Sequence, residues 1–131
     1  MGGIKEARRQ PVSFTEGYLD SFGFYAFGPE EIETLKNEAE EKAKSGLTPK
    51  NIALERARAG DVFETAFFLR LASMPMENKL EMLLFAMETE VAKEMAYPYD
   101  DQPHLVRAEY WRREAAQLSL LLGQVNVEAA A

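Results

Sequence analysis

The run Asp61-Val62-Phe63-Glu64-Thr65-Ala66-Phe67-Phe68-Leu69-Arg70-Leu71-Ala72 decides the fold. From Val62 to Ala72 its only charged residues are Glu64 and Arg70, while Val62, Phe63, Ala66, Phe67, Phe68, Leu69 and Leu71 cover most of a helical circumference. A helix that is apolar nearly all round must be buried nearly all round. Asp61 and Glu64 have the spacing of a capping box, the aspartate receiving the Glu64 N–H and the glutamate reaching back. This segment is therefore the central helix of an all-α bundle, and the rest of the chain is what covers it.

Working toward the N-terminus, Thr48-Pro49 opens a short helix that Gly60 ends. Before it, Gly28 as N-cap, Pro29 in the first helical position and Glu30, Glu31 and Glu33 near the positive end of the dipole start another. That helix stops at Ser45-Gly46, with Gly46 suited to the left-handed cap. Its apolar stripe is thin (Ile32, Leu35, Ala39, Ala43), so it belongs on the surface. Glu38 with Lys42 and Glu40 with Lys44 are supporting i,i+4 pairs. Upstream, residues 12–28 hold six of the fourteen aromatics, among them Phe14, Tyr18, Phe22 and Phe24, together with three glycines. No helical period is sustained there, which predicts short extended pieces turning at Gly17 and Gly23. Residues 1–11 read as a polar leader.

Toward the C-terminus, Met74-Pro75-Met76 breaks the chain and a long helix runs from about Pro75 to Met95. Its stripe is Leu80, Leu83, Leu84, Met87 and Val91, with Met82 and Phe85 pointing away. Tyr97 to Pro103 is a loop dictated by proline and aspartate. A last helix runs from about Pro103 to Leu122 and stops at Gly123. Its stripe is Ala108, Trp111, Ala115, Leu118 and Leu122, leaving Val106, Tyr110, Leu120 and Leu121 on the other side. The expected plan is one helical-bundle-like domain of four to five helices over 29–123. An aromatic, glycine-containing arm (1–28, irregular or short-strand) precedes it, and a flexible tail (124–131) follows. Short loops make consecutive helices roughly antiparallel neighbours.

Composition bounds the function. The 131 residues carry 15 Lys and Arg against 22 Asp and Glu, for a net charge of −7. No cysteine is present, which excludes disulfides, zinc ribbons, iron–sulfur clusters and a thiol nucleophile. A single histidine excludes a two-histidine metal motif within the chain. The acidic balance argues against direct nucleic-acid binding. The longest apolar runs are far too short to span a membrane, and the residues after Met1 do not form a secretory signal. The expected setting is cytoplasmic, or inside a larger assembly, and not secreted.

Chemistry-bearing candidates are few. His104, preceded by Asp100 and Asp101, has no nucleophile near it in sequence. Glu88, Glu90 and Glu94, with the carboxylates of residues 30–41, would support an all-oxygen magnesium site only if they faced inward from two helices. Arg107, Arg112 and Arg113 beside Tyr110 and Trp111 resemble a nucleic-acid grip, but Glu109 and Glu114 neutralise most of that charge. Glu77, Glu81 and Glu88 fall within roughly 40° of one another around the long helix and form an acidic face. The apolar surplus is the stronger signal: Phe14, Tyr18, Phe22 and Phe24 in the arm, and Met82, Phe85, Tyr110 and Leu121 off-stripe on the last two helices. A body of this size should not hide all of them.

The sequence thus predicts a non-catalytic interaction or assembly module, with no cofactor, metal or catalytic residue. It would bind a protein partner or a second copy through those side chains, oriented by the acidic face. Two alternatives accompany it: an acidic inhibitor of a partner's basic nucleic-acid-binding surface, and a magnesium-dependent enzyme using helix glutamates.

Overall fold

Phe67, Phe68, Ala66 and Leu69 are buried at the centre of the molecule, as a helix with so little polar circumference requires. The computed structural model describes residues 16–96 and 102–130, with side chains over 16–96 and 103–123. Its regular elements are α1 (16–23), α2 (Pro29–Lys44), α3 (Pro49–Arg58), α4 (Val62–Leu71), α5 (Met76–Met95) and α6 (Gln102–Ala130). All regular structure among the described residues is helical.

The punctuation acts as the sequence implies. The Gly28 N–H donates to the Glu31 carboxylate at 3.1 Å, and Pro29 occupies the first turn of α2. Thr48 and Asn51 cap α3 reciprocally. Gly46 and Gly60 end their helices at φ of 83° and 74°, a region where a Cβ is costly. At α4 the Asp61 carboxylate accepts from the Glu64 N–H at 3.2 Å. Glu64 does not reach back, however: its carboxylate accepts from Arg56 Nε at 2.7 Å, and the Asp61 N–H donates instead to the Arg56 carbonyl at 3.0 Å.

The core draws on every helix. Leu19 and Phe22 of α1, Leu35 of α2, Ile52 and Ala57 of α3, Leu80, Leu83 and Met87 of α5, and Trp111, Leu118 and Leu122 of α6 join the α4 side chains. The longest helices, α5 and α6, pack along each other, and α3 packs on α4 and α5.

The structure corrects three expectations. Residues 16–23 are a helix rather than extended pieces, so the described residues form six helices where four to five were expected. Tyr18, Leu19 and Phe22 share one face of α1, and tertiary burial of that face overrides the cost of Gly17 and Gly23, about 1 kcal/mol each. Gly23 is required for a different reason. A Cβ there would lie 2.6 Å from the Ala66 carbonyl carbon, so α1 meets the α4 backbone directly. Finally, α6 does not stop at Gly123 but runs to Ala130. The part of the arm before residue 16, including Phe14, lies outside the described residues.

Candidate interaction surface

The aromatic side chains of the arm divide by depth. Phe22 is buried, its ring centroid 5.9 Å from Trp111 and 6.0 Å from Phe63. Tyr18 is half-buried; its hydroxyl donates to Glu114 at 3.3 Å, and burial with the Glu114 charge pushes its pKa up. Phe24 is half-buried beneath the Arg70 guanidinium, 4.7 Å from the ring centroid. Arg70 also donates to Asp20, tying α4 to α1. Tyr18 and Phe22 are therefore chiefly cement between α1, α4 and α6. Tyr25, in the turn after α1, is instead exposed.

The off-stripe side chains of α5 and α6 also divide. Met82 packs partly against the core and Leu121 is buried at 5% exposure, whereas Phe85 remains 43% exposed. Leu121 turns inward because α6 has neighbours on two sides, which widens its buried arc beyond one narrow stripe. On its outer side Val106 is 62%, Tyr110 47% and Leu120 72% exposed. At 100° per residue these three lie within an arc of about 80°. Leu105, Val106, Glu109, Tyr110 and Arg113 line a shallow open depression on this face.

The charged candidates resolve into pairs, with one exception. Arg112 and Arg113 both donate to Glu109, at 3.3 and 3.0 Å. Arg107 donates to Glu94 at 3.2 Å, and of the two aromatics among them Trp111 is buried while Tyr110 is exposed. His104 Nδ1 lies 2.5 Å from the Glu94 carboxylate and 3.1 Å from the Arg107 guanidinium. Asp100 and Asp101 lie outside the described residues. The His104 contact leads in holding the Glu94 pKa down at about 2, with Arg107 adding to it. Glu90 is shifted the other way, chiefly by burial, with Glu94 beside it opposing its ionisation. Its closest cation is Lys93, at 3.5 Å.

The exception is the acidic face. Glu81 and Glu88 are exposed and Glu77 half-exposed, and none of the three makes an ion pair among the described residues. Glu30, Glu31, Glu33, Glu40 and Glu41 on α2 are exposed, and Glu38 is taken by Lys42 and Arg56. Among the described residues no group of three His, Asp or Glu side chains is arranged to hold a metal ion. The magnesium constellation is thus not assembled there.

A feature that sequence reading missed is the ion-pair knot on Arg56. This α3 side chain donates to Glu38 of α2 and Glu64 of α4, while its guanidinium lies 5.5 Å over the Phe68 ring. Eighteen and eight residues separate it from those carboxylates, beyond any local spacing rule. No described helix is long and apolar enough to cross a membrane. Comparison with protein-family models, with curated proteins and with solved structures returns no match.

Proposed function

We propose that the protein is a non-catalytic protein–protein interaction or assembly module, working in the cytoplasm or inside a larger assembly. Its contact surface is the outer face of α6, with Phe85 of α5 as a secondary site. The supporting observation is the alignment of Val106, Tyr110 and Leu120, all largely exposed, on one side of a single helix. Scattered exposed apolar residues are ordinary, but three in register along one helix face mark a surface that gains from being covered. The arginines of this helix support a protein rather than a nucleic acid as partner, since each already engages a carboxylate. The test is Val106→Glu with Leu120→Glu, in a variant whose circular dichroism is unchanged. It should abolish association, with itself or with a captured protein; undiminished association removes the reading.

A second reading keeps the acidic inhibitor, because Glu81 and Glu88 stand exposed without ion pairs among the described residues. It requires binding that weakens steeply with salt. Replacing both by Gln should flatten that salt dependence, and salt-independent binding would exclude it.

A further inference from the structure

Arg70 of α4 and Lys79 of α5 line one open cavity of about 250 Å³, to which α1 adds Glu16, Leu19 and Asp20 and α5 adds Met76. Both cations have unspent donors. Arg70 gives its Nε–H to Asp20 and lies over the Phe24 ring, while its terminal nitrogens meet no acceptor among the described residues. The Lys79 ammonium is half-buried and makes no hydrogen bond or ion pair among the described residues. Burial lowers its pKa, and the Arg70 charge lowers it further, against a partial offset from Glu16. Arg113, in the depression on α6, is by contrast already held by Glu109. We propose that the junction of α1, α4 and α5 binds a small monocarboxylate with a short apolar body, its carboxylate held between Arg70 and Lys79. This site is separate from the α6 outer face and does not rest on the reading of that face.

The lining selects this ligand class. A guanidinium presents a planar set of N–H donors that matches a carboxylate, and an ammonium beside it adds a further charge-assisted bond. Two cations face two carboxylates, but Asp20 is already engaged by Arg70 and Glu16 is exposed and makes no ion pair among the described residues. The cavity therefore suits a single negative charge. A dianion would meet Asp20 and Glu16 as well, which counts against it. Leu19, itself part of the core, and half-buried Met76 supply the apolar contact for the body of the ligand. The Asp20–Arg70 pair ties α1 to α4, so the guanidinium is in place before the ligand arrives, which lowers the cost of binding. With so few ligand atoms and an open mouth, dissociation on the order of a millimolar is expected.

The test titrates sodium butyrate into the isotope-labelled full-length chain at constant ionic strength. The reporters are the Arg70 Nε–H and the backbone amides of the residues that line the cavity. The expected result is a saturable shift confined to these groups. Lys79→Gln removes an ammonium that makes no bond among the described residues, so the fold should persist by circular dichroism. That variant should weaken butyrate binding about tenfold. Lys36→Gln, at an exposed position on α2, should leave binding as it was. Acetate, too short to reach along Leu19 and Met76, should bind more weakly than butyrate. Inorganic phosphate, whose second charge meets Asp20 and Glu16, should bind more weakly too. Shifts that grow without saturating, or equal losses in the two lysine variants, reduce the effect to charge screening and overturn the site. Acetate equal to butyrate, or phosphate tighter than butyrate, overturns the assignment of the ligand class.

Discussion

Glu94 near the end of α5 and His104 in the first turns of α6 meet at 2.5 Å, clasping the mouth of the connection between the two longest helices. Arg107 approaches the same carboxylate at 3.2 Å. Here the folded state holds a glutamate pKa at about 2, below its ordinary value of 4.5. The clasp therefore contributes its full stability above pH 4.5 and loses it as pH falls toward 2. Glu90 works in the opposite sense: its raised pKa makes protonation favour the folded state as pH falls. Glu94→Gln should cost about 1–2 kcal/mol at pH 7. It should also shrink the stability difference between neutral pH and pH 3. Urea titrations at both pH values measure this; an unchanged difference in the variant would exclude Glu94 as its source.

The Arg56 knot joins three helices. Its side chain is 17% exposed and engages Glu38 and Glu64, themselves partly buried. Arg56→Ala takes the ion-pair partner from Glu64, leaves Glu38 with Lys42 alone, and removes the cation from the Phe68 ring. Full burial of such a pair would make the loss larger; with solvent still reaching the group, about 2 kcal/mol is expected. Arg56→Lys should recover less than half, because an ammonium cannot fork between two carboxylates. Complete recovery by lysine, read in thermal melts, would reduce the knot to a matter of net charge.

Gly17 and Gly23 stand in the same helix and should respond oppositely to the same substitution. A Cβ at Gly23 would overlap the Ala66 carbonyl, whereas one at Gly17 meets nothing within 4 Å. Gly23→Ala should destabilise by about 1–3 kcal/mol through forced separation of α1 and α4. Gly17→Ala should stabilise by about 0.5–1 kcal/mol by removing backbone freedom from the unfolded chain. Equal effects in denaturant titrations would mean that α1 does not pack this way.

Leu120 and Leu121 are adjacent, yet 72% and 5% exposed. Leu121→Ala should cost about 2–4 kcal/mol of folding stability. Leu120→Ala should stay within about 0.5 kcal/mol on the monomer while weakening the association proposed for the α6 outer face. Sedimentation and urea titration separate the two quantities, and a large folding cost at Leu120 would place it in the core.

The sequence determined α2 to α5 closely, because their signals are local. Gly28-Pro29, Thr48-Pro49 and Asp61 each act within a turn of where they stand, and Phe67 and Phe68 have no polar side to turn outward. It also singled out Tyr110 as an apolar surface residue, because the inner stripe through Trp111 left no place for it. What only the tertiary structure decided depends on residues far apart in the chain. A run interrupted by Gly17 and Gly23 becomes a helix because Ala66 and Trp111 bury one face of it. Phe22 and Leu121 turn inward because α6 is flanked by more than one neighbour. Arg56 finds its carboxylates, and His104 finds Glu94, only after folding. Local propensity is written in adjacent residues, whereas burial and ion pairing are properties of neighbours that the fold alone supplies.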